Sequence, residues 1–178
     1  MKWQKAGQLI FFIILVSAAA LIQGSLIYAW PDFFNQLNLV LISLIFALFF
    51  YGFHSALLAS VVAGFWLDLL FFNFFGFYVL VLGLSAFLAY LILNSWLTNR
   101  SLYSFGLLIL IATVVYNFLS GGLAYFFESS PTVFFLGRPL FWQQLLYQIA
   151  WSELAAFLMF SLVAAATRRL KPFFLEKK

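Results

Sequence analysis

SALLASVVAGFWLDLLFF, residues 55–72, decides how this chain is read. It is eighteen residues long and carries a single charge, Asp68, near its end. As an α-helix it spans about 27 Å, close to the ~30 Å of hydrocarbon in a bilayer. Its apolar residues run continuously instead of alternating. An open strand cannot cross lipid because its edge groups go unpaired, and a barrel strand is shorter and alternates. The stretch reads as a membrane-spanning helix.

Similar runs lie on both sides, at residues 7–29, 37–50, 76–93, 102–127 and 143–166, which makes six in 178 residues. Hydrophobic residues are 66% of the chain and charged residues 8%, a balance that a soluble domain of this size cannot bury. The expected fold is all-α: one integral membrane domain over residues 1–178, a bundle of six transmembrane helices. Trp30, Pro31 and Asp32 close the first run, which is too long for the apolar part of a cleaved signal. The second run is short and predicts a helix that is tilted or extended backward through Phe33 and Phe34, consistent with a tight hairpin with the third, with Tyr51, Gly52, Phe53 and His54 between them. The longest connection, residues 128–142, is rich in Phe and is expected to lie against the interface.

Charge placement predicts orientation. With the N-terminus inside and six crossings, Lys2, Lys5, Arg100, Arg168, Arg169, Lys171, Lys177 and Lys178 fall on the cytoplasmic side and only Arg138 outside, eight against one. This follows the positive-inside rule. The net charge of +4 then reports topology and contact with anionic lipid heads, chiefly through Arg168, Arg169 and Lys171, and not nucleic-acid binding. The chain has no cysteine, which excludes disulfides, thiol nucleophiles and Cys-ligated metals.

The few polar residues inside the spans carry the functional argument. Ala56, Ser60, Gly64 and Asp68 recur every four residues and share one helix face. The first three are small and let another helix approach, from this chain or from a partner. Asp68 is expected to accept from backbone N–H groups opening the fourth helix, with Asn73 tying the turn and Gly76 letting the chain bend. Glu153 falls near the middle of the sixth span, where an ionised side chain costs about 3 kcal/mol. It must face protein or a wet cavity, or carry its proton. Gln148 is read as nearly on its face, Ser152 is adjacent, and Asn117 of the fifth span is the expected partner across the bundle. His54 has no acid or second histidine at metal-binding spacing. No nucleophile–base set, glycine-rich phosphate loop or carboxylate pair appears, so neither an enzyme nor a cofactor is expected.

Gly64, Asp68, Leu69, Leu70 and Gly76 form the pattern G-x3-D-L-L-x5-G between two apolar helices, and Pro31-Asp32 precedes the second span. In this pattern, and in length, span count and orientation, the chain resembles the MreD family of bacterial rod-shape membrane proteins. Phe71, Phe72, Phe74 and Phe75 depart from it, standing where the family often has small polar residues. The resemblance implies a non-enzymatic scaffold in the bacterial cytoplasmic membrane, both termini cytoplasmic. It implies MreC as partner, together with the MreB filament and the RodA/penicillin-binding-protein synthase of side-wall peptidoglycan. The face of Ala56, Ser60 and Gly64, or lipid-facing surfaces nearby, is the expected seat of a partner helix. The family is thought to share the fold of the substrate-binding subunits of energy-coupling-factor vitamin transporters, which supply the alternative reading. Their first helix usually offers an A-x-x-x-A coupling face, for which this chain has Ala20-x-x-x-Gly24.

Overall fold

The computed structural model describes residues 13–27, 36–71, 75–96, 102–127, 135–137 and 139–167. All regular structure in these segments is helical. Helix α1 covers Ile13–Ser25 as an apolar helix whose last turn widens into a π-helix at Gln23–Ile27. It is followed by α2 (Leu39–Tyr51), α3 (Phe53–Phe71), α4 (Phe77–Ser95), α5 (Leu102–Phe127) and α6 (Pro139–Thr167). A short 3₁₀ turn, Phe135–Gly137, precedes α6. Among the described residues three stretches, Phe53–Phe71, Phe77–Ser95 and Tyr103–Phe126, are long and apolar enough to cross a membrane. The protein is thus an all-α molecule suited to embedding in lipid.

Helix α2 is the centre of the bundle. It touches α3, α4, α5 and α6, and every residue from Val40 to Phe49 except Phe46 is buried. That position explains its shortness and lack of charge: apart from Tyr51 at its end, it is buried or half-buried along its length. Asn38 caps it, its Oδ1 accepting from the Leu41 N–H at 2.9 Å. Gln23 of α1 reaches the same end, and its Oε1 accepts from the Val40 N–H at 2.8 Å. Two of the first-turn N–H groups, which have no carbonyl partner within the helix, are thereby satisfied. At the far end Gly52 alone links α2 to α3. Its φ of +90° is left-handed backbone open to glycine, and its N–H donates to the carbonyls of Ala47 and Leu48.

Small residues line the inside of α3 and large ones the outside. Ala56, Ala59, Ser60, Ala63 and Gly64 are buried, while Leu58, Val61, Phe65 and Leu69 are exposed. Helix α4 repeats this with Ser85, Ala86 and Ala89 inside and Leu80, Leu84, Phe87 and Leu91 outside. Apolar side chains on the outer face, with backbones brought close by small residues within, are what a lipid solvent favours. Packing then follows chain order, α3 on α4, α4 on α5 and α5 on α6. Rings of Phe49, Phe105 and Phe160 fill the end of the core nearest Gly52, Phe105 standing 5.3 Å from Phe49 and 6.1 Å from Phe160.

The observed limits differ from expectation mainly in the last helix. It starts at Pro139, not at residue 143, because proline fits the first helical position, where its missing N–H has no role. The connection expected over residues 128–142 is shortened accordingly.

Candidate functional site

Polar side chains gather at one end of the bundle, where α2, α4 and α6 begin and α5 finishes. The first group is the α3–α4 corner. Asp68 is buried, and its two oxygens accept from backbone N–H groups across the turn: Oδ2 from Gly76 at 3.0 Å, Oδ1 from Tyr78 at 2.8 Å. A carboxylate at a helix N-terminus satisfies donors that the helix leaves open and meets the positive end of its dipole. Gly76 precedes α4 with a φ of +95°, the left-handed bend that aims both N–H groups at one side chain. Asn73, expected to tie this turn, lies outside the described residues.

Ala56, Ser60 and Gly64 do not form a free docking face, which corrects the expectation of a partner helix there. The strip is covered by α4 of the same chain. Ala56 and Ser60 are fully buried, and a Cβ on Gly64 would fall 2.6 Å from the Cα of Val79. The within-chain alternative for this face is the one realised. Ala20-x-x-x-Gly24 also faces inward. Ala20 is fully buried, and a Cβ on Gly24 would collide with Leu70.

The second polar group lies between α5 and α6. Asn117 Nδ2 donates to the Thr113 carbonyl at 2.8 Å and to Gln148 Oε1 at 2.7 Å. A backbone carbonyl only accepts, so the first of these bonds fixes which end of the Asn117 amide carries nitrogen. Both hydrogens of that nitrogen are then used. Asn117 Oδ1 and Gln148 Nε2 have no protein partner among the described residues.

Glu153 does not join this pair, contrary to expectation. Gln148 and Glu153 are five residues apart, which turns them about 140° from each other on an α-helix. Ser152, four residues from Gln148, shares its face instead. Glu153 lies beside α5 at Gly106, where an added Cβ would be 3.1 Å from Oε2. Its Oε1 is buried without a hydrogen-bond partner, as are Thr113 Oγ1 and Ser152 Oγ. The α5–α6 seam therefore holds an amide pair joined by one hydrogen bond and three buried oxygens without a partner.

Between the two groups is a cavity of about 320 Å³ lined by Asn38, Tyr78, Tyr116, Asn117, Gln144 and Gln148, among others. Sequence reading named Asn117 and Gln148 but missed the rest. Asn38 alone carried a signal, as an N-cap residue directly before an apolar run. His54 lies exposed at the opposite end, beside Gly52. No group of three or more potential metal ligands occurs among the described residues. Arg168, Arg169 and Lys171 lie outside them. No protein-family model, curated protein or solved structure matches the chain.

Proposed function

We propose that this chain is a six-span, non-enzymatic scaffold of the MreD kind. It resides in the bacterial cytoplasmic membrane with both termini inside. It holds MreC and, with MreB and the RodA/penicillin-binding-protein synthase, supports side-wall peptidoglycan synthesis and rod shape. The observation that carries this reading is the α3–α4 corner. The residues of the G-x3-D-L-L-x5-G pattern meet there in one structural unit, with Gly64 admitting α4 and Asp68 closing on Gly76 and Tyr78. The pattern behaves as a single device, not as scattered coincidences of an apolar sequence.

The outer surface fits the same role. With the small-residue strip filled from within, a partner span is received on the large apolar stripes, Leu58, Val61, Phe65 and Leu69 on α3 and Leu80, Leu84 and Phe87 on α4. Anionic lipids meet the basic tail at Arg168, Arg169 and Lys171.

The transporter-subunit alternative has one observation in its favour, the polar cavity at the bundle end. Against it stands Ala20, which is fully buried, with the Leu70 side chain lying against Gly24, so that the pair is not an open coupling face. Depletion from a rod-shaped host, with affinity purification of MreC, separates the readings. The scaffold reading expects round cells and co-purification of the chain with MreC. Unchanged rods together with ATP-dependent uptake of a vitamin would replace it by the transporter reading.

A further inference from the structure

The cavity at the start of α2, α4 and α6 has a chemistry of its own, and it rests on neither functional reading. Its described lining includes Gln36, Asn38, Asn117, Ser120, Gln144 and Gln148, beside Phe77, Tyr78 and Tyr116. Among the described residues no charged side chain lines it. Donors at the starts of α2 and α4 are also already engaged: the Val40 N–H by Gln23, the Leu41 N–H by Asn38, the Tyr78 N–H by Asp68. An anion entering here meets no cation among the described lining residues and finds those three donors taken, and a cation meets no carboxylate among them.

What the wall offers is an acceptor and a donor from adjoining amides. Asn117 uses both hydrogens of Nδ2 on Thr113 and Gln148, which leaves Oδ1 as a free acceptor. Gln148 uses Oε1, which leaves Nε2 as a free donor on a side chain only 6% exposed. Amide atoms left open toward a cavity are free to take a partner from a ligand or from water. Aromatic rings of Phe77, Tyr78 and Tyr116 supply flat apolar wall beside them. A volume of about 320 Å³ is at the small end of ligand pockets.

We propose that this cavity is a binding site for a small uncharged molecule with a carboxamide or lactam edge, one that donates to Asn117 Oδ1 and accepts from Gln148 Nε2 while its ring or chain packs on the aromatic wall. A neutral amide edge carries its donor and its acceptor on separate atoms and can meet both wall atoms at once, whereas an ion that only donates or only accepts meets one of them.

Nicotinamide and uracil serve as neutral probes and nicotinate as the charged control, titrated calorimetrically into the full chain in lipid nanodiscs. The expected result is saturable one-to-one binding of at least one neutral probe, with nicotinate far weaker. Gln148→Met removes the donor, and Ser120→Phe fills the space while leaving the amide pair intact. Each is expected to weaken binding by about tenfold or more. Melting curves of the unliganded variants show which of them folds, and either alone suffices. The proposal is overturned if neither neutral probe binds at millimolar concentration, so that water alone fills the cavity, if nicotinate binds as well as nicotinamide, or if a folded variant binds like the parent.

Discussion

The backbone of Val79 lies against the bare Cα of Gly64: a Cβ built on that glycine would sit 2.6 Å from the Val79 Cα and 2.7 Å from its nitrogen. Backbone atoms cannot rotate away as a side-chain end can, so any substitution at Gly64 must push α3 and α4 apart. Gly64→Ala is expected to destabilise the protein by about 1–3 kcal/mol through overpacking. Gly64→Leu should prevent the two helices from closing at all. Thermal unfolding in detergent checks this; a melting temperature unchanged by Gly64→Ala would mean that the helices are not so close. The same geometry makes Gly64→Leu a poor probe of partner contact, because loss of MreC would follow from misfolding. Exposed positions such as Val61 or Leu84 are the better ones to vary.

Asp68 holds the same corner of the helix pair one turn further along α3. Asp68→Asn keeps one acceptor oxygen and loses the charge that strengthens both bonds; Asp68→Ala loses both acceptors. Hydrogen bonds to a charged group contribute about 1.5–3 kcal/mol, so the alanine variant should lose at least that much and the asparagine variant less. Hydrogen exchange at the Gly76 and Tyr78 amides should quicken in the same order. Exchange that stays slow at both amides in Asp68→Ala would show that the carboxylate is not their acceptor.

How much of this was legible in the sequence depended on distance along the chain. The helical class and the six runs follow from continuous apolar stretches, which have local causes. Asp68 was also legible, because an acid at a helix end followed within a few residues by glycine leaves the next helix's N–H groups as its nearest donors. Gln23 was not. Its partner is the backbone N–H of Val40, seventeen residues away, and a backbone donor leaves no mark in a sequence. The cavity escaped for the same reason, since its walls come from the ends of several helices. Glu153 was misplaced for a different reason. Nearness in sequence to Gln148 was taken for nearness on the helix face, and five residues is the wrong spacing for that.

Glu153 yields a prediction of opposite sign to the first two. An orphaned, buried carboxylate oxygen costs stability, and a polar group without a partner is worth removing by about 1–3 kcal/mol. Glu153→Met, of similar length and apolar, should therefore raise the melting temperature of the isolated protein. If Glu153 serves a partner's helix, the same variant should lose MreC on co-purification while gaining stability alone. A fall in melting temperature would instead show that the carboxylate is already satisfied within this chain.

Orientation is the most direct test of the proposed six crossings. The chain has no cysteine, so each introduced thiol is unique and needs no background removed. Gly137 is exposed in the turn before α6, on the side that the charge distribution assigns to the exterior. Gly137→Cys should react with an impermeant maleimide in intact cells. Lys5→Cys and Lys177→Cys, within the basic ends assigned to the cytoplasm, should react only after the membrane is opened. An odd number of crossings places the two termini on opposite sides, so one of those two thiols would then label in intact cells. That single result would remove the six-span bundle and with it the cytoplasmic placement of Arg168, Arg169 and Lys171 on which contact with anionic lipid depends.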